Sequence, residues 1–227
     1  MSDDSSGNDV AVLVSGGVDS AVLTIDLLKS FRRVFPIYVR FGLRWEDVEL
    51  AGLRTFLDAT ARPGLMPLTV LDEPITDVYG SHWSTGSSSV PGSETPDEAV
   101  YLPGRNVLLA AKAAVWCRLR DVGSLAFGCL GANPFPDSTP AFFDALQSAL
   151  NLAMDGHLRL LRPFDRLKKS EVLLRGEDLP LHLTFSCLNP VDGRHCGACN
   201  KCAERQKGFR EAGRRDMTAY AATAGTS

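Results

Sequence analysis

The strongest constraint on the fold lies near the start of the chain. Val10-Ala-Val-Leu-Val14 is a continuous apolar run rich in β-branched residues, the pattern of a strand buried on both faces of a parallel sheet. It stops at Ser15-Gly16-Gly17, and from Ser20 the apolar positions Val22, Leu23, Ile25, Leu27 and Leu28 recur at helical spacing until about Ser30. A strand, a glycine turn and a helix in direct succession open a βαβ unit, which commits the chain to an α/β architecture.

The alternation continues. Val34 to Val39 predicts a second strand with an irregular start at Pro36, Glu46 to Ala61 a helix, and Leu65 to Leu71 a third strand interrupted by Pro67. Further on, Asn106 to about Leu119 predicts a helix and Leu125 to Cys129 a short buried strand. Thr139-Pro140 supplies an N-cap and a first-position proline for a helix through Phe142, Phe143, Leu146 and Leu150. Leu158 to Leu161 predicts a fifth strand, and Ser170 to Arg175 and Ala203 to Ala212 predict helices. The expected organisation is a disordered N-terminus at 1–9, an α/β domain at 10–182, a cysteine-bearing segment at 183–213 and a tail at 214–227, frayed from Tyr220. Between Asp72 and Pro103 the periodicity fails in a Ser-, Gly- and Pro-rich stretch, and a connection this long is expected to be a functional lid or disordered.

Composition removes several classes of function. At 227 residues, with 44% hydrophobic and 22% charged residues, the chain can bury one sizeable core. Its net charge of −3 supplies no basic field for a nucleic-acid backbone. No apolar run approaches the roughly 20 residues of a membrane helix, and the acidic stretch Met1 to Asp9 lacks the features of a signal peptide, so a cytoplasmic location is expected.

The string Ser15-Gly16-Gly17-Val18-Asp19-Ser20 lies where successive backbone N–H groups and a helix N-terminus can cradle an anion, and its glycines let the backbone approach a phosphate. It is neither the phosphate loop that ends in Gly-Lys-Ser/Thr nor the dinucleotide-binding Gly-x-Gly-x-x-Gly. Two glycines alone would serve a tight turn; the whole string, in this strand-to-helix context, can cradle an anion such as a phosphate.

Four of the six cysteines, Cys187, Cys196, Cys199 and Cys202, fall close together. In a reducing compartment such a cluster binds metal more often than it forms disulfides. Four thiolates complete a tetrahedral zinc shell and leave no open position, so zinc here is expected to be structural. An iron–sulfur cluster or a redox dithiol at Cys199 and Cys202 are the alternatives. Cys117 and Cys129 sit in apolar runs and read as core residues.

The glycine string matches the SGGxDS motif of the N-type ATP pyrophosphatases, and with Cys187-x8-Cys196-Gly-Ala-Cys199-Asn-Lys-Cys202 the chain resembles the 7-cyano-7-deazaguanine synthase family. Leu102-Pro103-Gly104-Arg105-Asn106 is similar to that family's PGRN element, and Pro163 to Glu171 to its lysine-containing segment. The resemblance runs from about Val10 to Gly213. It implies a doubly wound, adenine nucleotide alpha-hydrolase-like fold with a C-terminal zinc segment. It also implies an enzyme that uses ATP to adenylate 7-carboxy-7-deazaguanine, ammonia to form the amide, and a second ATP to dehydrate it to the nitrile. Ser15 to Ser20 would bind ATP, with Asp19 near the pyrophosphate and a Mg²⁺ ion. Arg105 and Lys169 would supply cations for the departing pyrophosphate, and Asp137 would contact the acid. The family is expected to act as a homodimer on small molecules, without nucleic acid or membrane.

One segment departs from the family pattern. The family reads Asp-Tyr-Ser-Gly-Tyr-Pro-Asp-Cys-Arg after the fourth strand, whereas Ala132 to Thr139 keeps only Pro136-Asp137 and lacks the Cys-Arg pair. The expectations are that the shortened loop reaches the same substrate by a different path, or else that the acid pocket is altered, unless Arg44, Arg105 or another cation substitutes for the missing arginine.

Overall fold

In the computed structural model, which describes residues 8–86, 88–131 and 133–221, strand and helix alternate from the start of the chain. The order is β1 (Asp9–Leu13), α1 (Val18–Leu27), β2 (Arg33–Arg40), α2 (Glu46–Ala59), β3 (Thr69–Asp72), α3 (Thr76–Tyr79), α4 (Arg105–Arg118), β4 (Ser124–Ala126), α5 (Pro140–Met154), β5 (Arg159–Leu161), α6 (Lys169–Arg175) and α7 (Asn200–Glu211). The five strands pair in parallel in the order β3-β2-β1-β4-β5. The sequence reverses direction between β1 and β4, so the crevice beyond the carboxyl ends of those two strands is the place where an open sheet of this kind binds ligands.

Period-two alternation distributes β1 between two cores. Val10 and Val12 pack with residues of α1, α2 and α6, while Ala11 and Leu13 pack with α4 and α5 on the other face. Burial on both sides is why the run reads as continuously apolar.

Pro36 lies inside β2, opposite Val12. It shares its hydrogen-bonding side with Val34 and Tyr38, which faces β3, and β3 pairs only from Ile37 onward after an isolated bridge between Val34 and Leu65. No ladder donor is needed at Pro36, so the proline is accommodated. Asp9, expected among the disordered residues, is instead the buried first residue of β1, because the Arg33 guanidinium of the neighbouring strand pairs with its carboxylate. Residues 1–7 and 222–227 lie outside the described residues. Tyr220 bridges His195, and the Ala221 amide donates to the His195 carbonyl at 2.7 Å, so the tail is tied down to that point.

The aperiodic stretch from Asp72 to Pro103 carries the single turn α3 and a 3-10 turn at Asp97–Val100, and its middle docks on the cysteine segment. Gly92 bridges Cys199, Ser93 N–H donates to the Ala198 carbonyl at 3.0 Å, and Asn200 N–H donates to the Pro91 carbonyl at 3.0 Å. Its order comes from a partner about a hundred residues away, which a local pattern does not report. Among the described residues, no helix is long and apolar enough to cross a membrane.

Candidate active site

The glycine loop leaves the carboxyl end of β1 at the switch point. Gly16 has φ +69°, and a Cβ there would stand 2.8 Å from Glu49 Cγ and 3.0 Å from the Glu49 carbonyl oxygen, so only glycine fits. Ser20 Oγ accepts from Ser15 N–H and donates to the Gly17 carbonyl, both at 3.2 Å, which closes the loop on itself. Gly17 is the extended N-cap of α1 and no side chain caps the helix. The first-turn N–H groups of α1 are thereby left to a ligand.

The loop forms one wall of a cleft of about 270 Å³, whose other walls include Tyr38, Glu46, Glu49, Arg105, Lys169, Lys201 and Glu204. Lys169, the first residue of α6, places Nζ 2.7 Å from Asp19 Oδ2 and 3.1 Å from Glu204 Oε1, and Lys201 Nζ is 2.6 Å from Glu204 Oε2. A Cβ at Gly208 would stand 2.6 Å from Lys169 Cγ, so a glycine is needed for α7 to come close enough to α6 to deliver Glu204. Burial alone would lower the Lys169 pKa, but Asp19 and Glu204 outweigh it and hold the ammonium well above its ordinary range. Burial would raise Glu204, but Lys169 and Lys201 outweigh it and hold its carboxyl at about 2. The other carboxylate oxygen, Asp19 Oδ1, is buried without a partner among the described residues, a suitable donor for a divalent cation.

Arg105 opens α4 and lines the cleft, and its Nε is buried without a partner among the described residues. Asp137 is not among the lining residues. Its Oδ2 accepts from Asn106 N–H at 3.1 Å and its carbonyl from Asn106 Nδ2 at 2.8 Å, so it fastens the start of α4 from behind. The structure therefore brings together Ser15 to Ser20, Arg105 and Lys169, and leaves Asp137 outside. Arg44 is exposed and donates to the Ser88 carbonyl and Asn189 Oδ1, bracing the Ser-rich stretch instead of entering the cleft. Cys129 does line the cleft, and burial pushes its thiol up to about 11, which keeps it protonated.

Sequence reasoning missed two buried acids in the first turn of α2. Glu46 accepts from the Phe41 and Gly42 N–H groups, the latter at 2.9 Å. Glu49, 6% exposed, accepts from the Tyr38 hydroxyl at 2.6 Å. Burial raises the Glu49 carboxyl to about 8, against the lowering effects of Tyr38 and Arg105. Acids in a first helical turn ordinarily answer the helix dipole from the surface. The available signal was that Glu49 shares a helix face with Leu53 and Phe56, both of which point into the core.

The four cysteine sulfurs lie within 4.8 Å of one another. Cys187 Sγ and Cys199 Sγ are 3.9 Å apart, and Cys196 Sγ and Cys202 Sγ 4.0 Å. Four sulfurs around a zinc ion with bonds of about 2.3 Å would be spaced by about 3.8 Å, so the set fits one tetrahedral metal ion. Backbone N–H groups of Leu188, Asn189, Cys196 and Ala198 point at the sulfurs at 3.2–3.5 Å, as donors that favour thiolates do. His195 is not a fifth candidate, since its Nε2 accepts from Ser186 N–H at 3.1 Å.

The family model described as queuosine biosynthesis protein QueC matches residues 9–213. A 7-cyano-7-deazaguanine synthase of Syntrophobacter fumaroxidans is 33% identical over 231 residues, which cover 92% of this chain and 94% of that protein. One from Leptospira interrogans is 30% identical over 222 residues, covering 92% and 90%. Among solved structures, a 4-thiouridine synthetase–RNA complex with bound ATP superposes with a TM-score of 0.52 at 14% identity, over 91% of this chain and 51% of that one. At that identity the likeness concerns the fold.

Proposed function

The chain belongs to the family of the queuosine biosynthesis protein QueC, and from that premise we propose that it adenylates the carboxylate of 7-carboxy-7-deazaguanine with ATP and uses ammonia to make 7-cyano-7-deazaguanine. The observation that carries this reading is the meeting of Asp19 and Lys169 at the mouth of an uncapped glycine loop. A carboxylate oxygen is a poor leaving group and AMP a good one, so the chemistry turns on displacing pyrophosphate from ATP. The N–H groups of Gly17 to Asp19 hold the phosphates, and Lys169 and Arg105 neutralise charge as it gathers on the departing pyrophosphate. Asp137 acts on the acid indirectly, by fixing the start of the helix that carries Arg105.

Asp19 Oδ1 would hold a Mg²⁺ ion, which when bound neutralises phosphate charge. Cys187, Cys196, Cys199 and Cys202 would hold a structural zinc. The enzyme works in the cytoplasm on small molecules, without nucleic acid, as a homodimer; the family resemblance supports these features.

Mass spectrometry of the products formed from ATP, ammonia and 7-carboxy-7-deazaguanine tests the reading, with the nitrile expected. A second reading rests on the missing Cys-Arg pair at 132–139: the chain stops at the amide or activates another carboxylate, and an amide product or an unreacted acid would favour it. A folded, metal-loaded protein that turns over no carboxylate would leave only a nucleotide-binding role.

A further inference from the structure

Resting on that reading of the reaction, we propose that the Glu49 carboxylate is the group that takes the protons leaving the incoming nitrogen. A nitrile nitrogen carries no hydrogen, so all three protons of ammonia must depart. In the first stage the C–N bond forms, the C–O bond to AMP breaks with its electron pair on AMP, and one N–H proton is lost. In the second, the amide oxygen attacks the α phosphorus of a second ATP and pyrophosphate leaves. The C–O bond to AMP then breaks, and the remaining two N–H bonds become the π bonds of the nitrile as their protons depart. A base beside the reacting carbon is therefore needed throughout.

Four acids line the cleft: Asp19, Glu46, Glu49 and Glu204. Asp19 is paired with Lys169, and Glu204 is held by Lys169 and Lys201. Glu46 has its oxygens on the Phe41 and Gly42 N–H groups. Among the described residues, Glu49 alone of the four is bound to no cation and no backbone amide, and its hydrogen-bond partner is the Tyr38 hydroxyl. It stands against the glycine loop, where a Cβ at Gly16 would lie 2.8 Å from its Cγ, and so beside the loop that would hold the phosphates in the proposed reaction. The charged or titratable groups around it are Tyr38 on β2, Glu46 on its own helix and Arg105 on α4. Burial places its carboxyl at about 8, where a base can both accept a proton and return it to water near neutral pH.

The test separates adenylation from nitrogen transfer. Exchange of labelled pyrophosphate into ATP, dependent on 7-carboxy-7-deazaguanine, reports the first, and amide plus nitrile formation from ammonia the second. Glu49→Gln should lower product formation by about 10²–10⁴-fold more than it lowers exchange. Tyr38→Phe, which removes a hydrogen bond that holds the Glu49 pKa down, should move the acid limb of the product-formation profile to higher pH. Equal losses of exchange and product in Glu49→Gln would overturn the proposal, as would product formation within threefold of wild type or an unshifted limb in Tyr38→Phe. Wild-type protein that neither exchanges nor forms product would overturn the reaction reading itself, and this proposal with it.

Discussion

Lys169 Nζ lies 2.7 Å from Asp19 Oδ2 although 150 residues of chain separate the two. The contact joins the first turn of α1 to the start of α6, and Glu204 of α7 brings a second carboxylate to the same ammonium at 3.1 Å. All three side chains are less than one-third exposed, so the charges act with limited screening.

Replacing that ammonium should therefore affect both stability and chemistry. Lys169→Met leaves two carboxylates facing one another, and it is expected to lower stability by about 2 kcal/mol and ATP-dependent ligation by at least about 10²-fold. Thermal denaturation and a ligation assay read the two effects. A variant that keeps full turnover would remove Lys169 from the reacting centre.

The two glycines of the loop should fail in different ways. Gly16→Ala places a Cβ at φ +69° against Glu49, with an expected loss of about 2–4 kcal/mol. Gly17 has φ −73°, and the nearest atom to a Cβ there is Ser15 Oγ at 3.5 Å, so Gly17→Ala should leave the fold intact or stabilise it by about 0.5 kcal/mol. The added methyl would still obstruct the phosphate approach and raise the KM for ATP. Unaltered ATP kinetics in folded Gly17→Ala would show that the nucleotide lies elsewhere.

ATP should be cleaved between its α and β phosphates, giving AMP and pyrophosphate by product chromatography. Asp19→Asn, which changes charge with little change of volume, should lose most turnover and keep the fold. ADP and phosphate as the main products would contradict the assignment of the loop.

Zinc should be present at one equivalent per chain in freshly purified protein, and absent from a Cys199→Ser/Cys202→Ser double variant. Structural metal binding contributes directly to folding free energy, so chelation should lower the melting temperature. Because Gly92, Ser93 and Pro91 bond to Cys199, Ala198 and Asn200, it should also expose the Ser-rich stretch to protease before the sheet unfolds. Iron and sulfide in the purified protein would indicate a cluster instead.

Two of the perturbed acids, Glu204 and Glu49, should act on stability with opposite signs. Glu204 is depressed from 4.5 to about 2, so its contribution is complete above the unfolded value and is lost as pH falls from about 4.5 through 2. Glu49 is raised from 4.5 to about 8; the folded state keeps its proton longer, and stability is lost as pH rises from about 4.5 through 8. Glu49→Gln should thus gain melting temperature relative to wild type across that rise. A difference that does not change with pH would place the Glu49 pKa near its ordinary value.

The α/β class, the glycine loop and the approximate place of each of the five strands were legible in the chain alone, with β3 beginning at Thr69 and β4 ending at Ala126 where Leu65 and Cys129 were expected, because apolar runs such as Val10 to Val14 and the residues of a strand-to-helix turn are local properties. The cysteine cluster was legible for a related reason: ligands that lie close in the chain need little tertiary help to meet. Tertiary structure decided what burial and distance control. It made Asp9 a buried strand residue through Arg33, and it ordered the Ser-rich stretch against Cys199. It placed Asp137 on the Asn106 N–H at the start of α4, and it buried the Glu49 carboxyl beside the glycine loop. Period and spacing report which face of an element is apolar, but a side chain's charge state depends on what the other elements bring against it, and that is settled only when the sheet order places α1, α2, α4, α6 and α7 around one crevice.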